Sequence, residues 1–114
     1  MASPVEVELA NVPPVHDNSI QGKIRAKFGV NAESALAIAK CETNFNPLAV
    51  GDLGIDGGTN PSYGLFQIRY FGGARGTIEQ LHDVDYNINK AYEMSGGGTN
   101  WAPWYNCAVK NGLL

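Results

Sequence analysis

Residues 44–62 are the part of this sequence that most restricts how the chain can fold. The stretch is rich in asparagine, aspartate, glycine and proline, which favour turns and interrupt helices and strands. Irregular segments of this length are uncommon inside small domains, and those that occur usually serve a function. We therefore expect regular structure on both sides of residues 44–62 and a functional role for the segment itself.

Two helices are predicted before this segment. The first follows the cap residues 17–19 and ends at Gly29, and its apolar stripe consists of residues four apart, Ile20, Ile24 and Phe28. Asn31 can cap the second helix, which extends from Ala32 to about Thr43. The buried side of this helix is formed by small and aliphatic residues, Ala35, Leu36, Ile38 and Ala39.

Short apolar runs and breaks alternate in the second half of the chain. Residues 63–70 predict a strand or a strand-to-helix passage, residues 77–82 a short helix, and residues 101–110 a last helix. A further helix lies between the last two, and either Asp83 or Asp85 can cap it. The alternation indicates a mostly helical chain without internal repeats.

The predicted fold class is mainly α (α+β), with a small irregular or β lobe around residues 50–70. Residues 1–16 contain three prolines and no helical periodicity, which indicates an extended N-terminal arm. Residues 17–114 are expected to form a single domain, because a chain of 114 residues with 44% hydrophobic residues can bury one core but not two.

Charge and hydropathy argue against several classes of protein. The formal net charge is −3 and the isoelectric point about 5.2. A chain without a basic patch is a poor binder of nucleic acid, because phosphate neutralisation supplies most of that affinity. No apolar run approaches the ~20 residues of a membrane span, and the N-terminus does not resemble a signal peptide. We expect a monomer that needs no metal and no organic cofactor.

Cys41 and Cys107 are the two cysteines of the chain. Two cysteines alone do not make a zinc site, so the sequence leaves two possibilities, one disulfide or two buried thiols. In the loop-entropy account, a disulfide that closes so long a loop stabilises the fold by roughly 4 kcal/mol. Spacing alone does not decide between the two possibilities.

Glu42 is the candidate catalytic residue. Positions 35, 38, 39 and 42 lie on one face of the predicted helix, so Glu42 continues a stripe that is otherwise apolar. Burial and the negative end of the helix dipole both disfavour a carboxylate there and are expected to raise the pKa of Glu42. A general acid needs a carboxyl that stays protonated near neutral pH. The alternative is an ordinary exposed glutamate at a helix end.

Four sequence blocks follow one another between residues 35 and 107. The first, Cys41 to Pro47, has a glutamate at a helix end and an Asn-Pro pair; the second, Ser62 to Ile68, contains Gly-Leu-Phe-Gln. The third is Asp85 to Ile88, and the fourth is Trp101 to Trp104. In this order the blocks resemble the lysozyme superfamily, most closely its lytic transglycosylases (SLT-like domains). The second and fourth blocks are also similar to animal-type lysozymes.

The resemblance implies a bilobal, mostly helical fold with a sugar-binding cleft between the lobes. It also implies that Glu42 protonates the glycosidic oxygen between N-acetylmuramic acid and N-acetylglucosamine, with peptidoglycan strands as the partner. Trp101 is then expected to cover Glu42. The final helix would return beside the helix of Glu42, which favours the disulfide between Cys41 and Cys107. The implied substrate-binding residues are Ser62, Tyr63, Gln67, Tyr86, Asn87 and Trp101.

A second carboxylate separates the two reactions that the resemblance allows. Where animal-type lysozymes carry an aspartate, this chain has Ser62, so the leading prediction is a lytic transglycosylase. There the substrate supplies its own nucleophile, and Glu42 acts first as acid and then as base. The alternative is a lysozyme-type hydrolase in which Asp52 or Asp56 holds the attacking water. Because both aspartates adjoin glycine, a solvated turn is the simpler interpretation of each.

Two further hypotheses remain, a chitinase-like enzyme and a non-catalytic module that binds the cell wall or has a structural role. The peptidoglycan hypotheses place the protein at the bacterial cell wall. They are compatible with extracellular, periplasmic or virion-associated action, as in an endolysin.

Overall fold

The computed structural model describes residues 19–53 and 60–114. Within these ranges the order of elements is α1 (Ile20–Phe28), α2 (Ala32–Thr43), β1 (Val50–Gly51), β2 (Ser62–Tyr63), β3 (Ile68–Arg69), α3 (Ile78–Leu81), α4 (Val84–Met94) and α5 (Tyr105–Lys110). Single 3-10 turns occupy Gly29–Asn31 and Ala102–Trp104. The prediction of a mainly helical α+β fold with a small β lobe is therefore confirmed. The predicted arm at residues 1–16 lies outside the described residues.

Side-chain caps fix where most of the helices begin. The Ser19 hydroxyl accepts a hydrogen bond from the Gly22 amide at 3.0 Å, which starts α1. Thr77 forms a capping box with Gln80 at the start of α3. Of the two aspartates proposed as caps of α4, Asp83 fills that position by accepting from the Tyr86 amide. These bonds satisfy amide groups that the first turn of a helix leaves without partners.

The side chain of Asn31 does not cap α2, so this prediction is wrong. Asn31 directly precedes α2, but the preceding 3-10 turn gives it near-helical backbone angles (φ −98°, ψ 12°) instead of the extended angles of a cap. Its side chain instead donates to the Gly97 carbonyl at 3.0 Å. Asn31 therefore ties the start of α2 to the glycine-rich turn after α4.

The last predicted helix is divided into two pieces. A 3-10 turn at Ala102–Trp104 precedes α5, and the backbone angles of Trp104 (φ −107°, ψ 51°) leave the helical region between them. Pro103 lies in the 3-10 turn, where its missing amide hydrogen interrupts no helical hydrogen bond.

A three-stranded antiparallel sheet with the order β1-β2-β3 forms the β lobe. Ser62 is the partner of both Gly51 and Arg69, and Tyr63 is the partner of both Val50 and Ile68. Directly paired residues have side chains on the same face of a sheet. The register therefore places Ser62 and Arg69 side by side.

The core joins both lobes through Phe66, which is fully buried. The rings of Phe28, Trp101 and Trp104 lie 5.9–6.4 Å from the Phe66 ring, measured between centroids. The rest of the core comes mainly from the apolar stripes of the helices, including Ile24, Ala35, Ile38, Ala39, Leu81, Ile88 and Ala91. No helix within residues 19–53 and 60–114 is long and apolar enough to cross a membrane.

A buried amide connects the β lobe to α4. Asn87 has no exposed surface, and its oxygen accepts from the Phe66 amide at 2.8 Å. Its nitrogen donates to the carbonyls of Tyr63 at 3.1 Å and Leu81 at 2.7 Å. Gly64 permits this approach, because a Cβ there would overlap the Leu81 carbonyl and the Asn87 amide. The Gly-Leu-x-Gln block thus needs its glycine for close packing.

Cys41 and Cys107 form a disulfide, with a Cα–Cα distance of 5.8 Å. The prediction of this bond is confirmed, and the alternative of two free thiols is wrong. The bond joins the last turn of α2 to α5. It lies one residue from Glu42.

We expect Asn87→Ala to lower the free energy of unfolding by roughly 2–4 kcal/mol, because it leaves buried backbone groups without partners. Urea denaturation followed by far-UV circular dichroism measures the change. Asn89→Ala is the matched control, since Asn89 lies two residues further along α4 and is exposed. Equal stability of the two variants would show that the amide does not hold the lobes together.

Candidate active site

The last turn of α2 is anchored on both sides of Glu42. Cys41 is held by the disulfide. Thr43 donates from its hydroxyl to the Leu65 carbonyl at 2.9 Å, which fixes the helix end to the β lobe. Asn44 ends the helix in the left-handed conformation (φ 52°). Glu42 therefore projects from a backbone that is bound to both lobes.

A cavity of about 430 Å³ opens beside Glu42 between the end of α2, the sheet and the Ala102–Trp104 turn. Of the residues predicted for the site, it brings together Glu42, Asp52, Ser62 and Gln67. The other lining residues are Ile68, Arg69, Phe71, Arg75, Met94, Pro103, Trp104, Tyr105 and Asn106. Among the residues that the structure describes, no group of three His, Cys, Asp or Glu side chains is placed to hold a metal.

The environment of Glu42 favours its protonated form. Burial raises the pKa of Glu42 from 4.5 to about 7, and the negative charge of Asp52 contributes in the same direction. Within residues 19–53 and 60–114, no hydrogen-bond donor compensates the Glu42 carboxylate. Near neutral pH both protonation states are accordingly populated, as a group that donates and later accepts a proton requires.

Asp52 and Ser62 form a hydrogen-bonded pair at the cavity wall. Ser62 is 2% exposed, and its hydroxyl donates to the Asp52 carboxylate. Asp52 follows β1 directly and has a positive φ of 58°, which turns the chain at this point. Asp52 is thus exposed and lies in a turn, as the simpler interpretation expects, and this turn is part of the wall of the Glu42 cavity. Asp56, the other predicted second carboxylate, lies outside the described residues.

Gln67 lines the cavity and also braces the sheet. Its side-chain nitrogen donates to the carbonyls of Ala49 at 3.2 Å and Gly64 at 3.0 Å. Its side-chain oxygen lies so close to Gly51 that a Cβ there would overlap it. Both amide hydrogens are thus used within the protein, and the oxygen retains accepting capacity.

Tyr63, Tyr86 and Asn87 lie away from the cavity wall. The Tyr63 ring packs edge-on against Tyr70 and His82, with centroids 6.4 and 5.1 Å apart. The Tyr86 hydroxyl donates to the Arg75 carbonyl at 3.1 Å. Asn87 is used entirely in the core. The structure thus gives these three predicted substrate-binding residues internal contacts.

Trp104, and not Trp101, lines the cavity. Trp101 is 3% exposed, its indole nitrogen donates to the Gly98 carbonyl at 3.0 Å, and its ring stacks on Phe66. Trp104 donates to the Phe66 carbonyl at 2.7 Å and packs edge-on against Trp101, with centroids 5.1 Å apart. Trp101 therefore packs against Trp104 from the core side and does not itself line the cavity.

Sequence reasoning missed two arginines of the wall. Arg69 follows from the register, because it pairs with Ser62 on the same face of the sheet. The register of two-residue strands cannot be predicted from sequence, so the position of Arg69 beside Ser62 could not be predicted either. Arg75 lies in the glycine-rich loop after β3, and its only sequence signal is a charge among glycines.

A family model described as a lysozyme-like domain matches residues 23–106, well over half of the chain. The matched range contains Glu42 and every residue that lines the cavity. No curated protein sequence and no solved structure gives a significant match.

We expect Asp52→Asn to lower the pKa of Glu42 below its wild-type value of about 7, because the variant removes a nearby negative charge. The pKa stays above 4.5, since burial is the larger cause of the shift. Carbon-13 NMR titration of the Glu42 carboxyl measures both values.

Asp85→Asn is the matched control for this titration. Asp85 pairs with Lys23 at 3.0 Å and does not line the Glu42 cavity. Its substitution should leave the titration of Glu42 unchanged. An unshifted pKa in Asp52→Asn would contradict the electrostatic link between the two acids.

Proposed function

The chain belongs to the lysozyme-like domain family, and we propose that it cleaves the β-1,4 bond between N-acetylmuramic acid and N-acetylglucosamine in peptidoglycan. Family membership implies glycosidic-bond cleavage and a cell-wall substrate at the general level. The observation that supports cleavage of this particular bond is Glu42, which is half-buried, lines the cavity and has a pKa of about 7. We place the activity at the bacterial cell wall, where oxidising surroundings preserve the disulfide.

Glu42 acts as the general acid in the first step. Its carboxyl proton moves to the glycosidic oxygen as the bond from that oxygen to the anomeric carbon breaks, and positive charge develops on the sugar. Asp52 stabilises that charge electrostatically from the same cavity. The N-acetylglucosamine part of the strand leaves as an alcohol, and Glu42 is left as a carboxylate.

The second step is intramolecular in our proposal, which makes the protein a lytic transglycosylase. The position at which animal-type lysozymes carry an aspartate is occupied by Ser62, whose hydroxyl is engaged with Asp52. The muramic C6 hydroxyl attacks the anomeric carbon and closes a 1,6-anhydro ring. Its proton moves to Glu42, which restores the starting state of the enzyme.

Inverting hydrolysis is the second candidate, and the position of Asp52 favours it. Asp52 lines the same cavity as Glu42, raises the pKa of that acid, and is oriented by the Ser62 hydroxyl. A carboxyl whose pKa is raised to about 7, with a second carboxyl in the same cavity, is typical of a general acid that acts together with a base. In this route Asp52 removes a proton from the water that attacks the anomeric carbon.

We expect Glu42→Gln to reduce the release of muropeptides from purified peptidoglycan by roughly 10²–10⁴-fold, because the amide cannot donate the required proton. Liquid chromatography of the soluble products measures the rate. Glu79→Gln is the matched control, since Glu79 is an exposed acid on α3. Unchanged release by a folded Glu42→Gln variant would overturn the assignment of the acid. Binding without release by the wild-type protein would indicate a non-catalytic module.

The mass of the products separates the two candidate reactions. A transglycosylase yields muramic ends about 18 Da lighter than a hydrolase does, because ring closure replaces the addition of water. We expect anhydro products from the wild type. We also expect anhydro products from Asp52→Asn. As the pH is raised, the activity of this variant should fall at a lower pH than that of the wild type, because its Glu42 has a lower pKa. Reducing-end muramic acid, together with inactivity of Asp52→Asn, would establish hydrolysis instead.

A further inference from the structure

The last turn of α2 has little apolar packing to hold it. The buried side chains of this helix end at Ala39. Lys40 is exposed, and the three residues after it are half-buried. Helices in proteins are stabilised mainly by packing of their apolar face, and helix ends without such packing fray. The position of this turn therefore depends on the bonds that Cys41 and Thr43 make.

Glu42 favours an opening of this turn at neutral pH. Burial is the main cause that raises the pKa of Glu42 to about 7, so its carboxylate would gain by reaching water. Repulsion by Asp52 acts in the same direction. The other titratable side chains that line the cavity are Arg69, Arg75 and Tyr105. An opened turn would hydrate the carboxylate and remove the burial that keeps the acid protonated.

The disulfide opposes this opening from the α5 side. Cys41 directly precedes Glu42 and is bonded to Cys107, with the two Cα atoms 5.8 Å apart. Because Glu42 shares a peptide bond with Cys41, it cannot move far toward solvent while Cys41 is fixed to α5. On the β-lobe side, the Thr43 hydroxyl donates to the Leu65 carbonyl. One of the two attachments of this turn is thus a bond that a reductant can break.

The rest of the fold has attachments that do not involve the disulfide. The Trp104 indole nitrogen donates to the Phe66 carbonyl at 2.7 Å, and Ala108 on α5 has no exposed surface. The Asn87 amide holds the β lobe against α4. Proteins open locally where few buried apolar contacts hold a segment. Loss of the disulfide is therefore expected to release the end of α2 and to leave the other helices and the sheet in place.

Cys41 offers the sulfur that a reductant reaches more easily, because it is half-buried whereas Cys107 is 7% exposed. The thiolate of a small dithiol attacks the Cys41 sulfur, forms a mixed disulfide and expels Cys107 as a thiolate, which takes up a proton. The second thiolate of the reagent then displaces Cys41, which is protonated in turn, and the reagent leaves as a cyclic disulfide. Two electrons pass from the dithiol to the protein, and exchange with an oxidised disulfide reverses the reaction.

We propose that the Cys41–Cys107 bond is a redox switch of the site: the oxidised chain is active, and reduction leaves a folded chain in which Glu42 is a poor acid. The inference rests on the proposed function, because it names a regulation of the same site. Thiols stay reduced in the cytosol of most cells, and disulfides persist in oxidising surroundings outside it. The switch thus withholds activity in a reducing compartment and permits it at the cell wall.

The test compares the oxidised full chain with the same chain reduced by dithiothreitol. At pH 8 we expect the reduced chain to release muropeptides about tenfold more slowly, because each unit by which a pKa falls lowers the protonated fraction about tenfold above that pKa. At pH 5 the two rates should differ less. Carbon-13 NMR titration should give Glu42 a lower pKa in the reduced chain. Reoxidation should restore both the rate and the titration.

The double variant Cys41→Ala/Cys107→Ala separates the effect of the bond from that of the reagent. It should behave like the reduced chain with or without dithiothreitol. Far-UV circular dichroism and thermal unfolding check that the reduced chain and the variant fold. Unfolding of the wild type on reduction would overturn the switch, because the bond would then only hold the fold. Equal rates and equal Glu42 titrations in the two forms would overturn it as well.

Failure of the switch and failure of the proposed function give different results. Equal release of products by the oxidised and the reduced chain, with the same Glu42 titration, would leave the enzyme assignment intact and remove the switch. A lower pKa of Glu42 in a reduced and folded chain, without any product from either form, would support the coupling of the bond to Glu42 and remove the catalytic assignment.

Discussion

The position of the β lobe against the helices depends on one buried amide. Asn87 bonds to backbone groups of Tyr63 and Phe66 in the β2–β3 hairpin and of Leu81 at the end of α3. Hydrogen bonds inside a protein hold their geometry because breaking them leaves polar groups without water. The β lobe forms one wall of the cavity, so a residue that does not line the cavity holds that wall in position.

Within this frame, Glu42 occupies a position that favours the carboxylic acid over the carboxylate. The folded-state pKa of about 7 lies above the ordinary 4.5. The folded state therefore binds the proton more tightly, and the stability gained from that proton is complete below pH 4.5 and lost as the pH rises through 7. Cys41 and Thr43 keep the side chain in this unfavourable environment by fixing the backbone on either side. The environment that suits Glu42 to act as a general acid therefore lowers the stability of the fold at alkaline pH.

Local signals sufficed for the helices and for part of the site. The caps at Ser19 and Asp83 and the apolar stripe that ends at Glu42 could be predicted, because each depends on residues three or four positions apart. The roles of Asn87 and Trp101 were not readable, because an amide or an indole binds sugar and backbone through the same groups. Which partner it meets depends on tertiary packing. The arginines were hidden for another reason, since their placement follows from strand pairing and loop shape.

The disulfide has a topological consequence. Every residue that lines the cavity lies between Cys41 and Cys107 in sequence, from Glu42 to Asn106. The bond therefore closes a covalent ring that contains the whole cavity wall. A protease that cuts this ring once, for example in a glycine-rich loop, opens it without separating the fragments, because they stay joined through sulfur. A protein that works among the hydrolases of a cell wall can thus be nicked and still keep its site within one molecule.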